Sequence, residues 1–123
     1  VNKYNIRLFS SNFALYGDIS KRVFDIVAKD VPAYEIYSID EAFLDFSGIK
    51  DPYNYALHLR DKVKRWTGIP ISIGISYTKT LSKVAGHIAK KSSDGVCLLN
   101  NEGRIDKILG SLPVDEIWGV GMV

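Results

Sequence analysis

Cysteine is almost missing: Cys97 is the only one in the chain. A single thiol excludes an intrachain disulfide and a thiolate-rich zinc site, and its apolar surroundings predict a buried thiol in a reducing compartment. Histidine is also scarce, with only His58 and His87. No second His or Cys stands at metal-binding spacing from His58, which reads as a surface or core residue. No apolar run is long enough to cross a bilayer and no signal peptide is visible, so the expectation is a soluble, cytoplasmic chain with no membrane partner. Excess charge is lacking too, at a net +2. Clustering matters more than the total for a polyanionic partner, and basic residues gather from Lys79 to Lys91 and from Arg60 to Arg65. A solvated helix face is the plain reading of either cluster. With 24% charged and 46% apolar residues, disordered, collagen-like and disulfide-scaffold classes are disfavoured. The 123 residues suit one domain, able to bury about two-thirds of its unfolded surface.

What is present alternates between strand and helix patterns. Ile6 to Phe9 fits a short strand. Ser10, Ser11 and Asn12 offer caps for a helix carrying Leu15, Ile19, Val23, Ile26 and Val27, which ends before Pro32. Tyr34 to Ile39 and Ala42 to Ser47 read as paired strands, with Ile36, Leu44 and Phe46 toward a core. Asp51 and Pro52 open a helix with Ala56, Leu59, Val63 and Trp66 on one face, closed by Gly68. Ile69 to Tyr77 reads as a strand, Ile71, Ile73 and Ile75 on one face and the small Ser72, Gly74 and Ser76 on the other. Small residues there let a helix or a ligand approach closely. A helix follows from about Lys79 to Lys91, then a strand from Val96 to Leu99 and a weak helix from Asn101 to Leu109. The order predicts an α+β, ferredoxin-like (split βαβ) fold, an antiparallel sheet backed by helices.

Two features carry chemistry. Asp40 and Glu41 interrupt an apolar strand pair and place two carboxylates at one rim of the sheet. Such a pair is relieved by a divalent cation with hard oxygen ligands, typically Mg²⁺, or else it is a solvated acidic turn. In the second, Lys79, Lys83, His87 and Lys90 form a stripe apart from the apolar face of Leu81, Val84, Ala85, Ile88 and Ala89. Lys79 opposes the helix dipole, which an anionic ligand at that end would explain and mere tolerance of a basic solvated face would explain equally. Farther on, Gly119-Val120-Gly121 allows backbone amides to approach a phosphate.

Three stretches together resemble the palm of the Y-family, lesion-bypassing DNA polymerases, more closely the UmuC branch. They are Tyr37-Ser38-Ile39-Asp40-Glu41-Ala42-Phe43-Leu44-Asp45, Gly74-Ile75-Ser76-Tyr77-Thr78-Lys79-Thr80-Leu81-Ser82-Lys83-Val84-Ala85, and Pro113-Val114-Asp115-Glu116-Ile117-Trp118-Gly119-Val120-Gly121. The resemblance implies a palm over residues 1–112 and the start of a helix-hairpin-helix thumb over 113–123. It implies that Asp40 and Glu41 are catalytic and hold two Mg²⁺ ions in the full-length enzyme, and that Lys90 contacts the incoming triphosphate. Lys79 and Lys83 would then meet DNA, and the amides of Gly119 and Gly121 the primer phosphates. Implied partners are primer-template DNA, a deoxynucleoside triphosphate, a processed UmuD-type subunit and the recombination filament. The chain begins at Val1 within a strand-like pattern and stops after a turn signal, which reads as a piece of something larger. The family's third metal-binding Asp, on a first palm strand, has no counterpart here. The expectation is therefore a palm of an error-prone polymerase, active in SOS repair and mutagenesis, that does not polymerise by itself and holds Mg²⁺ weakly or not at all. The alternatives are a ferredoxin-like nucleic-acid-binding module without catalysis, and a partner-binding domain in which the acidic turn is incidental.

Overall fold

The computed structural model describes residues 4–120. Its elements run α1 (Phe13–Ala28), β1 (Tyr34–Ser38), β2 (Glu41–Leu44), α2 (Pro52–Thr67), β3 (Ile73–Ile75), α3 (Lys79–Ala89), β4 (Val96–Leu98) and α4 (Glu102–Ser111), then a 3₁₀ turn at Val114–Glu116. Every α-helix has a capping side chain at its start, on Asn12, Asp51, Thr78 and Asn101. Each accepts a hydrogen bond from a backbone N–H that the first turn would otherwise leave unpaired. Gly68 closes α2 in the left-handed region, at φ +76°, donating its N–H to the Lys64 carbonyl.

The strands differ from the expected layer. Ile6 to Phe9 form no strand; they are exposed and irregular. A strand needs a partner, and this four-residue alternation pairs with none of the described strands. In place of one antiparallel sheet there are two two-stranded sheets, β1 antiparallel to β2 and β3 parallel to β4. The connection decides this: β1 and β2 join through a short turn, whereas α3 carries the chain back so that β4 starts beside the start of β3. The strands are also shorter than the sequence pattern, most clearly where Ile69 to Tyr77 pairs only over Ile73–Ile75.

The two sheets nevertheless share a helical floor. Val27 of α1 and Leu59 and Val63 of α2 are buried together, and Leu44 of β2 and Ile73 of β3, with Phe46 and Ile71 beside those strands, pack onto them. A second core joins Val84, Ala85 and Ala89 of α3 to Cys97, Leu99 and Ile105. Cys97 is buried, as its apolar setting predicts, and that burial raises the pKa of its thiol. Ile36 and Trp66, expected on core faces, are exposed; Trp66 instead lies under the Lys62 ammonium, 4.9 Å from its ring centroid. The bare face of β3 is covered by α3. A Cβ on Gly74 would lie 2.0 Å from the Gly86 nitrogen, so only glycine admits this approach. Between β2 and β3 lies an open cleft of about 1800 Å³, its walls including Asp40, Glu41, Lys83, His87 and Lys90.

Candidate active site in the β1–β2 turn

The β1–β2 register pairs Glu35 with Phe43 and Ile36 with Ala42, then shifts so that Ser38 faces Glu41. The irregularity falls at Tyr37, and such a bulge re-aims the side chains beyond it. Ile39 and Asp40 are left as the connection. The Ser20 hydroxyl of α1 donates to the Ile39 carbonyl at 2.5 Å, tying the turn to the helical floor.

The bulge brings both acidic side chains to one hydroxyl. Ser38 Oγ lies 2.8 Å from Asp40 Oδ1 and 3.4 Å from Glu41 Oε2. A serine hydroxyl has one proton, so it donates to one carboxylate at a time, and the shorter distance favours Asp40. The hard oxygens of two converging carboxylates fit Mg²⁺, which is commonly held by one or two carboxylates and completed by phosphate oxygens and water. No group of three or more Asp, Glu, His or Cys side chains suited to a metal occurs among the described residues. Asp45 does not join the pair: its carboxylate accepts from the Ser47 N–H at 2.8 Å, and bonding to Ser47 lowers its pKa.

The basic stripe of α3 meets the same hairpin. Lys83 Nζ lies 2.6 Å from Glu41 Oε1, and Lys79 Nζ lies 2.5 Å from Glu35 Oε2. The anion that offsets Lys79 at the helix start is thus supplied within the chain by Glu35. Both ammonium groups also sit over aromatic faces, Lys79 over Phe43 at 5.3 Å and Lys83 over Tyr37 at 5.1 Å. Lys90, at the C-terminal end of α3, has no ion pair among the described residues, and with His87 it lines the cleft. Gly119 follows the 3₁₀ turn at φ +86°. Gly121 lies outside the described residues.

Sequence reasoning missed Glu35, Ser38, Tyr37 and Trp118. The Trp118 indole donates to the Tyr37 hydroxyl at 3.0 Å, and its ring packs on Tyr37 and Phe43, both at 5.4 Å between centroids. The pairing of Glu35 with Phe43 follows from a register that the sequence alone leaves open. The Trp118 contact spans 81 positions, and nothing local signals it.

Comparison with known proteins bears on this site. The family described as "IMS: impB/mucB/samB family" matches residues 2–87, which include the hairpin and most of α3. Protein UmuC of Salmonella typhimurium is 44% identical over 119 residues, covering 92% of this chain and 28% of that protein. DNA polymerase IV 2 of Mesorhizobium japonicum is 36% identical over 114 residues, covering 89% of this chain and 27% of that protein. The chain therefore spans under a third of the length of these relatives. Among solved structures, a Dbh ternary complex superposes with a TM-score of 0.76 over 92% of this chain and 34% of that one, at 24% identity, a likeness of fold.

Proposed function

The chain belongs to the impB/mucB/samB family of Y-family, UmuC-type DNA polymerases, and on that premise we propose that it is the palm of a translesion polymerase, contributing the carboxylates for template-directed nucleotidyl transfer. The convergence of Asp40 and Glu41 on the Ser38 hydroxyl carries this reading. Residues 1–112 serve as a palm and 113–123 as the start of a thumb, with Gly119 and Gly121 offering amides to primer phosphates.

Asp40 and Glu41 are the side chains that would hold Mg²⁺, which when bound lowers the pKa of an attacking hydroxyl and neutralises charge on phosphate oxygens. Ser38 orients Asp40, the nearer of the two carboxylates. Lys90, unpaired among the described residues and facing the cleft, suits the triphosphate. Lys79 and Lys83 would meet DNA phosphates by leaving Glu35 and Glu41. The partners are primer-template DNA and a deoxynucleoside triphosphate, with a UmuD-type subunit and the recombination filament as accessories. Without a third carboxylate beside the pair among the described residues, the isolated chain is expected to hold Mg²⁺ weakly and not to polymerise.

A non-catalytic nucleic-acid-binding module is less well supported. The face of β3 that would present bases to a binding surface is occupied by α3 at Gly74. The test is Asp40→Asn in the intact polymerase that carries this palm. Loss of primer extension by at least about a hundredfold, with DNA affinity retained, is expected from removing a metal-holding charge. Unchanged synthesis would overturn the reading.

A further inference from the structure

Both oxygens of Glu41 have neighbours: Oε1 the Lys83 ammonium at 2.6 Å, and Oε2 the Ser38 hydroxyl at 3.4 Å. The ammonium is no loose surface partner. The Lys83 side chain is 27% exposed, against 77% for Lys21 in its helix-surface pair with Asp25. One side of its socket is the Glu41 carboxylate and another is the ring of Tyr37, which Trp118 holds through the indole bond to its hydroxyl. The backbone that carries it is fixed as well. Thr78 caps α3, and Val84 and Ala85, next in sequence, are buried in the core. Lys83 thus reaches the acidic turn from a rigid helix. Two adjacent carboxylates repel, and one ammonium relieves part of that repulsion.

We propose that Lys83 is a positioning residue that serves as the resident counter-cation of the Asp40–Glu41 pair. It holds Glu41 in place when no divalent ion is bound and competes with that ion for Glu41 Oε1. The inference rests on the reading of that pair as the metal-holding site and adds what regulates it. One positive charge leaves the two carboxylates as two arrive, so the pair passes from half neutralised by the ammonium to fully neutralised by the divalent cation. The displaced ammonium is then free for phosphate oxygens, so metal affinity is held low until a phosphate-bearing ligand gives Lys83 another partner.

The test is a Mn²⁺ titration of the 123-residue chain at 0.15 M salt, followed by electron paramagnetic resonance, with folding of each variant checked by circular dichroism. Lys83→Met is expected to bind Mn²⁺ about two- to fivefold more tightly, the loss of one partly exposed ion pair. Lys83→Arg keeps the charge and should stay near the parent. Lys91→Met removes the same charge just past the end of α3, at an exposed residue outside the walls of the cleft, and should change affinity by less than about 1.5-fold, since salt screens a charge that is not at the site. Lys83→Gln is the second neutral variant if the methionine variant fails to fold. Affinity that is equal or weaker in the neutral Lys83 variants, or raised as much by Lys91→Met, overturns the inference. If Asp40→Asn abolishes binding in that same experiment, the reading of the pair stands even then. Mn²⁺ binding that is undetectable, or indifferent to Asp40→Asn, overturns the inference, and the reading of the pair is then decided separately by primer extension with Asp40→Asn in the intact polymerase.

Discussion

At the scale of single residues, the site depends on three small groups. The Ser38 hydroxyl gathers the two carboxylates, the Lys83 ammonium neutralises one of them, and the missing side chain of Gly74 lets α3 come close enough to place Lys83 there. The last is the most sharply determined. A Cβ on residue 74 would meet the Gly86 nitrogen at 2.0 Å and the Ser82 carbonyl oxygen at 2.4 Å, all backbone atoms that cannot rotate away. Gly74→Ala is therefore expected to destabilise the fold by about 2 kcal/mol or more. Urea unfolding measures this, and a shift of less than about 0.5 kcal/mol would show that α3 is free to move outward.

At the scale of elements, the connection between α3 and β4 is held by one carboxylate. Asp94 accepts from the Tyr53 hydroxyl in the first turn of α2, from the Ser92 hydroxyl at 2.9 Å and from the Val96 N–H at 3.3 Å. These bonds, Tyr53 foremost, lower its pKa, and the Tyr53 phenol is raised in return. Hydrogen bonding lowers Asp45 and Asp51 in the same way. The folded state thus takes up these protons less readily than the unfolded chain does. The stability they contribute is present above the ordinary carboxylate range and is lost as pH falls through the lowered values, below about pH 4. Thermal melts from pH 7 down to pH 2.5 are expected to show Tm falling below that point. Asp94→Asn should lower Tm at pH 7 and make the acid-dependent fall shallower. An identical acid dependence in the variant would place the sensitivity elsewhere.

At the scale of the whole molecule, apolar surface is poorly covered. Tyr4, Leu8, Phe9 and Phe13 are each more than 70% exposed, and Ile6 is about half exposed. β2 and β3 border an open cleft instead of pairing with each other. Contiguous exposed apolar surface and free strand edges both favour association. The 123-residue chain is expected to self-associate at tens of micromolar, seen by sedimentation velocity as a concentration-dependent rise in the weight-average coefficient. A concentration-independent monomer would show that this surface is tolerated in water. Among the described residues no helix is long and apolar enough to cross a membrane.

The sequence by itself determined the helices, their ends and the place of the acidic turn. Asn12, Asp51, Thr78, Asn101 and Gly68 act through bonds within three or four positions of themselves, and the apolar spacing of Leu59, Val63, Val84 and Ala85 is a property of one helix at a time. Asp40 and Glu41 stood out because they break a local pattern. Only the tertiary structure decided the sheets and the company the carboxylates keep. The parallel pairing of β3 with β4 depends on how α3 carries the chain back. Glu35 offsets Lys79, and Lys83 meets Glu41, across 44 and 42 positions. Which charges pair across such distances depends on strand register and helix placement. Both follow from burying the two cores together, a sum over many distant contacts that no short stretch of sequence contains.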